Sequence, residues 1–436
     1  MTFLINFLGC KVNSYEVESI ANDLIKEGFK NYDGKGKPDI VIVNTCSVTE
    51  TSASKSRKMI RHYRAIYRKA IIVVMGCDVQ NETDYYKDTL KCDIVLGTTE
   101  RSKIKDYIND FVKNKEQIVV HENLKTIKKY EPLNVCHFLY NTRAYVKIQD
   151  GCDNYCTYCL IPYIRGHSRS RKEEEVLSEI KELIKNGYKE IVLTGIDMCS
   201  YGQDFKEKMT FSDLLEDILK SNPDLYRLRI SSIEESQIDD HFINLLEKYQ
   251  NIANHLHIPL QSGSVSILQK MNRKYDLKSY KEKIARIRKV RPNIAISTDV
   301  IVGFPTETDE NFKETFDFCK EIHFSKIHVF PFSDRNGTIA EKMTPKVDPI
   351  DKKARVLSLI SLSTEMGNEY ADRFEGKKME FLFENYDEKK KAYRGHSSNY
   401  LEIYYKSKEN LTDKIKEVTY HKEFDNVKNI LFDSIN

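Results

Sequence analysis

Apolar, β-branched runs recur between helical stretches along most of this chain, and that alternation limits its fold more than any other feature. In the first 130 residues the runs are 2–9 ("TFLINFLG"), 38–45 ("PDIVIVNT"), 71–76 ("IIVVMG") and 93–97 ("DIVLG"). Between them, 14–28 and 49–70 have helical periodicity. Continuous apolar strands separated by helices are buried on both faces, which predicts an α/β fold with a doubly wound parallel sheet. Residues 131–142 break the pattern and read as a linker. From 143 it restarts with six candidate strands, 144–150, 190–195, 226–232, 254–260, 295–304 and 326–332. Six βα units predict an open or partial barrel, since a closed one needs eight. Over 379–433 the chain reads as roughly five short strands with polar turns, which suits a small antiparallel β-barrel of the oligonucleotide-binding kind. The expected domains are 1–130, 138–368 and 371–436.

The start, "MTFLINFLGCKV", lacks a charged leader and a small-residue cleavage site, and no apolar run reaches spanning length. A cytoplasmic protein without a membrane partner is expected. In a reducing compartment, metal or catalytic roles outrank disulfides for clustered cysteines. The chain has 10 of them. Cys152, Cys156 and Cys159 form C-x3-C-x2-C after the first strand of the second region. A structural metal ion normally takes four protein ligands, and here the local count stops at three. Three thiolates hold three irons of a [4Fe–4S] cluster and leave the fourth open. The alternative is a zinc site completed by a remote His or Cys.

Cys10, Cys46 and Cys77 each stand just past the end of a predicted parallel strand, 36 and 31 residues apart, about one βα unit each. Such ends converge on the ligand crevice of an open sheet. A second three-cysteine cluster is one reading, and three small buried residues the other. Cys92, Cys136, Cys199 and Cys319 share no spacing and read as bystanders.

Lys+Arg is 69 against Asp+Glu 66, a net charge of +3, so any nucleic-acid footprint must be local. Between Glu50 and Asp78 there is no acid, yet Lys55, Arg57, Lys58, Arg61, Arg64, Arg68 and Lys69 all occur. A second basic group, Arg165, His167, Arg169 and Arg171, follows the C-x3-C-x2-C run. Both are expected to meet RNA phosphates, the alternative being a solvated helix face.

C-x3-C-x2-C with Tyr158 before its last cysteine resembles the signature of radical S-adenosylmethionine enzymes. Cys10, Cys46 and Cys77 together with the terminal strands narrow the resemblance to the methylthiotransferases. "GCKVNSYE" (9–16), "VIVNTCSVT" (41–49), "HIPLQSGS" (257–264) and "VGFPTET" (302–308) are all similar to that family, and the likeness spans essentially the whole chain. Within it, "LGCKVNSYE" and "RISSIEESQI" look closest to the type that modifies C2 of N6-threonylcarbamoyladenosine beside the tRNA anticodon. Sister types act on isopentenyladenosine in tRNA or on a ribosomal-protein aspartate. Glu235 and Asn336 stand where the pattern has proline.

The resemblance implies an N-terminal methylthiotransferase domain, a partial (β/α)6 radical barrel and a C-terminal TRAM module. It implies two [4Fe–4S] clusters and S-adenosylmethionine. The open iron at Cys152, Cys156 and Cys159 chelates S-adenosylmethionine for reductive cleavage to a 5′-deoxyadenosyl radical. The cluster at Cys10, Cys46 and Cys77 handles sulfur, and a second S-adenosylmethionine gives the methyl group. Tyr158, Gly195, Ser232, Glu234, Gln261 and Val302 are expected cofactor contacts, at or near strand ends on one rim. Tyr393, Tyr400 and Tyr404 are expected to stack on unpaired bases. The implied partners are the tRNA anticodon loop and an electron donor such as a flavodoxin or ferredoxin, with no role for DNA. A non-catalytic iron–sulfur RNA-binding or electron-transfer protein is the alternative, against which stands the three-cysteine count, since electron carriers usually close a cluster with four.

Overall fold

The computed structural model describes residues 1–422 and 430–432. Its first sheet has six parallel strands. In chain order they are Thr2–Phe7, Lys30–Asn31, Ile40–Thr45, Ile71–Gly76, Ile94–Leu96 and Ile118–Val120. Their spatial order is second, first, third, fourth, fifth, sixth. The short strands Lys30–Asn31 and Ile118–Val120 add to the four expected.

Because side chains alternate along a strand, the central strands feed two separate cores. Ile40, Ile42, Ile71 and Val73 pack with Leu24 of helix Lys11–Lys26 and Ile108 of helix Ile104–Asn114. Val41, Val43, Ile72 and Val74 pack with Ile60 of helix Glu50–Ile66 on the other face. That second helix is capped by the Thr49 side chain, which accepts from the Ser52 N–H at 3.1 Å. Helix Lys11–Lys26 buries far more than one face, because Val17 and Ile20 meet the sheet while Tyr15 joins the core of the next unit.

That unit has six parallel strands, Ala144–Lys147, Glu190–Thr194, Arg227–Ile230, His255–His257, Ala295–Val302 and Lys326–Pro331. They form two three-stranded runs. A bridge between Leu228 and Ile252 joins the runs, and the Ala253 N–H donates to the Leu228 carbonyl at 2.8 Å. Among the described residues the first and sixth strands do not pair, so the barrel is partial.

Helix Pro349–Asp372 leads from the barrel into the last sheet. Lys378–Asp387, Ala392–Ser397, Glu402–Lys406 and Ile415–Thr419 pair antiparallel, and Ile430–Phe432 adds in parallel beside Glu402–Lys406. No helix among the described residues is long and apolar enough to cross a membrane.

Candidate metal centres and the cavity between them

In the first sheet the second strand lies outside the first and the third lies on its other side, so chain direction switches between strands one and three. Ligand crevices open at such a switch, beyond the carboxyl ends of the strands. Cys10 and Cys46 flank it, and Cys77 begins the short helix Cys77–Asn81 one strand further on. Gly9 has φ +119°, and a Cβ there would sit 2.9 Å from both Cβ and Sγ of Cys46. Only glycine allows the backbone before Cys10 to approach Cys46 this closely.

Asn13 fastens the two loops, donating from Nδ2 to the carbonyls of Leu8 (2.8 Å) and Thr45 (3.1 Å). Its Oδ1 lies 3.7 Å from the Cys10 Sγ. Cys46 and Cys77 each lie within electrostatic reach of Cys10.

The second triad sits in the loop after the first barrel strand. Gly151 turns the loop tightly, and the Cys152 N–H donates to the Gly166 carbonyl at 3.1 Å. The Asn154 N–H approaches the Cys152 Sγ at 3.5 Å, and Arg273 Nη1 approaches the Cys156 Sγ at 3.6 Å. One further turn joins the triads. Leu160 and Ile164, just after Cys159, pack directly on Cys77. Arg165, at the end of the same helix Ile161–Arg165, donates from Nε to the Cys77 Sγ at 3.2 Å.

The donor sets suit iron–sulfur clusters. Among the described residues neither triad brings three sulfurs within 4.8 Å of one another; His257, Asp299 and His328 are the set that closes to that span. A single tetrahedral ion with Zn–S near 2.3 Å needs its thiolates about 3.8 Å apart, whereas a cluster spreads them wider. N–H groups aimed at cysteine sulfurs are the contacts that tune a cluster. Burial pushes the Cys46 and Cys159 thiols up to about 12. Binding a metal there displaces their protons.

One cysteine of each triad lines a cavity, and the two cavities adjoin. A cavity of about 830 Å³ fills the barrel lumen, with Cys10 and Lys11 on one wall and His257 and Tyr400 on others. A second, of about 230 Å³, is lined by Tyr158, Cys159, Gln261 and Phe332. The two share Asp299 and Phe330 as walls.

The expected cofactor contacts divide. Gly195 and Ser232 face the lumen, and Tyr158 and Gln261 face the smaller cavity. Glu234 lies in a third recess of about 210 Å³ with Cys156, Asp197 and Cys199, ion-paired to Arg273. Val302 does not reach a cavity: it is 1% exposed in the barrel core, and its carbonyl accepts from the Phe332 N–H at 2.8 Å.

The second basic group is also a correction. Arg165, Arg169 and Arg171 are 0%, 4% and 3% exposed, so they do not face phosphate. Arg165 meets Glu16 (2.8 Å) and Asp150 (3.0 Å), Arg169 lies 3.9 Å from Asp150, and Arg171 binds Glu179. Buried charges persist only with such partners, and the Arg165–Glu16 pair joins the first unit to the barrel. His167 stays outside, paired with Asp153 at 2.6 Å.

The first basic group splits. Arg61 and Arg68 are exposed, whereas Arg57 pairs with Asp78 at 3.1 Å and Arg64 with Asp93 at 2.9 Å. The acids absent from the helix arrive from elsewhere, Asp78 from the short helix Cys77–Asn81 and Asp93 from the loop before strand Ile94–Leu96. Tyr400 likewise stacks on protein rather than lying free: the Arg229 guanidinium sits 3.8 Å from its ring centre, and Arg143 donates to its hydroxyl at 2.8 Å. Tyr404 is buried under Lys390, and Tyr393 packs edge-on to Tyr386. Sequence reasoning missed Arg273, Asp197 and Asn13. Arg273 lies 117 residues from Cys156, beyond any local pattern.

Residues 146–319 match the family model of the radical SAM superfamily, and residues 2–97 match that of the uncharacterized protein family UPF0004. The chain is 41% identical over 422 residues to the threonylcarbamoyladenosine tRNA methylthiotransferase MtaB of Bacillus subtilis, covering 96% of this chain and 93% of that one. It is 36% identical to the MtaB of Thermotoga maritima, covering 93% and 90%. It is 35% identical to the tRNA-2-methylthio-N(6)-dimethylallyladenosine synthase of Clostridium botulinum, covering 88% and 86%. In fold it is similar to the radical S-adenosylmethionine methyltransferase TsrM of Kitasatospora setae, with TM-score 0.56, 14% identity, and 86% of this chain and 75% of that one covered. With such relatives matched along nearly their whole length, the chain is an enzyme and belongs to the radical S-adenosylmethionine methylthiotransferase family.

Proposed function

We propose that the enzyme places a methylthio group on C2 of N6-threonylcarbamoyladenosine beside the anticodon of tRNA. One observation supports the reading: Cys159 of one triad and Cys10 of the other line two adjoining cavities, of which the larger, about 830 Å³, is wide enough for a nucleobase. The names of the relatives from Bacillus subtilis and Thermotoga maritima supply the base. On this reading Cys152, Cys156 and Cys159 hold a [4Fe–4S] cluster, and Cys10, Cys46 and Cys77 hold a second. When bound, the two clusters and S-adenosylmethionine would supply the electron, the radical, the sulfur and the methyl group that methylthiolation of an unactivated aromatic C–H requires, since no side-chain acid or base activates that carbon.

The chain's own residues orient and enclose. Gly195 and Ser232 border the space where S-adenosylmethionine would extend from the first site, and Tyr158 and Gln261 close it from the other side. Arg273, fixed by Glu234, brings positive charge to the Cys156 sulfur. Arg165 does the same at Cys77. Domains 1–130, 138–368 and 371–436 serve the second cluster, the radical chemistry and a TRAM-like contact with RNA, respectively. Lys55, Lys58, Arg61 and Arg68 present free charge for the tRNA backbone. A flavodoxin or ferredoxin in the cytoplasm supplies electrons.

Mass spectrometry of tRNA nucleosides from cells with and without the gene tests the substrate. Loss of the methylthio group from threonylcarbamoyladenosine is expected. Loss from dimethylallyladenosine instead, or no change, would reject it. Anaerobic reconstitution should load about eight irons per chain; four would reject the second cluster.

A further inference from the structure

The lumen holds two ammonium groups that have no ionic partner among the described residues. Lys11, the residue after Cys10, lines it and makes no side-chain hydrogen bond or ion pair among the described residues. The sixth barrel strand has no neighbour on its outer side among the described residues, and its inner face presents Lys326, His328 and Phe330 at alternate positions, all exposed to the cavity. Lys326 likewise has no ionic partner among the described residues. Opposite them His255 is 7% exposed, donates or accepts through Nε2 to the Ser297 hydroxyl at 2.9 Å, and leaves Nδ1 without a partner.

The acids in the same wall are already engaged. Asp299 meets His257 Nε2 at 3.2 Å and also faces His328, and Glu402 binds Arg394 and His396. Beneath the floor formed by Tyr400 stand Arg143 and Arg229, whose charge reaches Lys11. Lys11, Lys326 and His328 line the same cavity, so the two ammonium groups face one volume, with Asp299 beside His328. A buried polar group without a partner and two unpaired ammonium groups around one space define a site for an anion.

We propose that Lys11, with Lys326 and His328 across the lumen, forms a subsite for a carboxylate on the N6 substituent of the target adenine. The inference rests on the substrate reading above and adds its recognition. The threonylcarbamoyl group ends in a carboxylate and a hydroxyl, which such a lumen pairs. A dimethylallyl group is wholly apolar and leaves the same cations desolvated without a partner, which is how a polar site rejects an analogue lacking the polar group. Lys11 adjoins Cys10, so a carboxylate held there keeps the base beside the second thiol site.

The test uses the reconstituted holoenzyme with three anticodon stem-loops, bearing threonylcarbamoyladenosine, its neutral threoninamide counterpart, or dimethylallyladenosine. Wild type should act on the acid with KM at least about 30-fold below that on the amide, the scale of a lost charge-assisted hydrogen bond. Lys11→Met should raise KM for the acid by about that factor and leave KM for the amide unchanged, and Lys11→Arg should restore the acid preference. Lys326→Met, far in sequence from any cysteine, should shift KM the same way by about 5-fold, as for a more exposed pair. Equal wild-type KM for acid and amide would overturn the subsite. So would a Lys11→Met loss that is the same on both. Activity on the dimethylallyl stem-loop alone would instead overturn the substrate reading itself.

Discussion

At the residue scale, Arg165 holds the two thiol sites together. Its guanidinium has no exposed surface and meets Cys77, Glu16, Asp150 and Asn13. Removing one member of a buried ionic group leaves the others uncompensated, at a cost of roughly 3–5 kcal/mol. Arg165→Met should therefore lower the denaturation midpoint and reduce iron retained by the N-terminal triad. Unchanged midpoint and iron content would show that Arg165 fastens nothing. Arg165→Lys offers charge without the planar fork, so it should recover the midpoint only in part.

At the scale of elements, the helix Glu50–Ile66 and the loop after it decide how RNA is met. Arg57 and Arg64 serve the fold through Asp78 and Asp93, while Arg61 and Arg68 stay free. Arg61→Ala with Arg68→Ala should weaken tRNA binding and reduce the slope of log affinity against log salt by about 1.5. An unchanged slope would leave the helix as a solvated face. The cap at the start of the same helix is separable from RNA: Thr49→Ala should cost about 1 kcal/mol of stability, read by denaturant titration, through loss of its bond to the Ser52 N–H.

At the scale of the molecule, the last sheet is docked through the floor of the barrel. Arg229 donates to the carbonyls of Ser397 and Ser398 and stacks on Tyr400, while Glu190 holds Arg229 and Arg227 in place. Burial alone would raise the Glu190 pKa, yet Arg229, then Arg227 and Arg143, hold it at about 2 against an ordinary 4.5. Its folded value is depressed, so its stabilisation is complete above pH 4.5 and fades as pH falls toward 2. The loss amounts to roughly 3 kcal/mol at most. Glu190→Gln should flatten that part of the curve of thermal midpoint against pH; parallel curves for variant and wild type would refute the assignment. Tyr400→Ala removes the aromatic partner of both arginines and should speed proteolytic release of the last sheet, with a loss of roughly 2 kcal/mol or more.

What the chain's order of residues determined by itself is local or periodic. The βα alternation was visible because strand and helix periods differ over a few residues. Both cysteine triads were visible because each thiol follows a strand end, a position set by chain order. The edge strands Lys30–Asn31 and Ile118–Val120 were not, since two or three residues carry no period. Only the tertiary structure decided which charges are free. "RGHSRSR" reads as an exposed basic run, yet its arginines are neutralised by Glu16, Asp150 and Glu179, of which Glu16 lies 149 residues from Arg165. Charge compensation depends on distance in space, and nothing in the local pattern encodes it. The same holds for the meeting of the two triads. Leu160, Ile164 and Arg165 bring Cys77 against the C-x3-C-x2-C loop by packing and a buried guanidinium, contacts that exist only once the two units have docked.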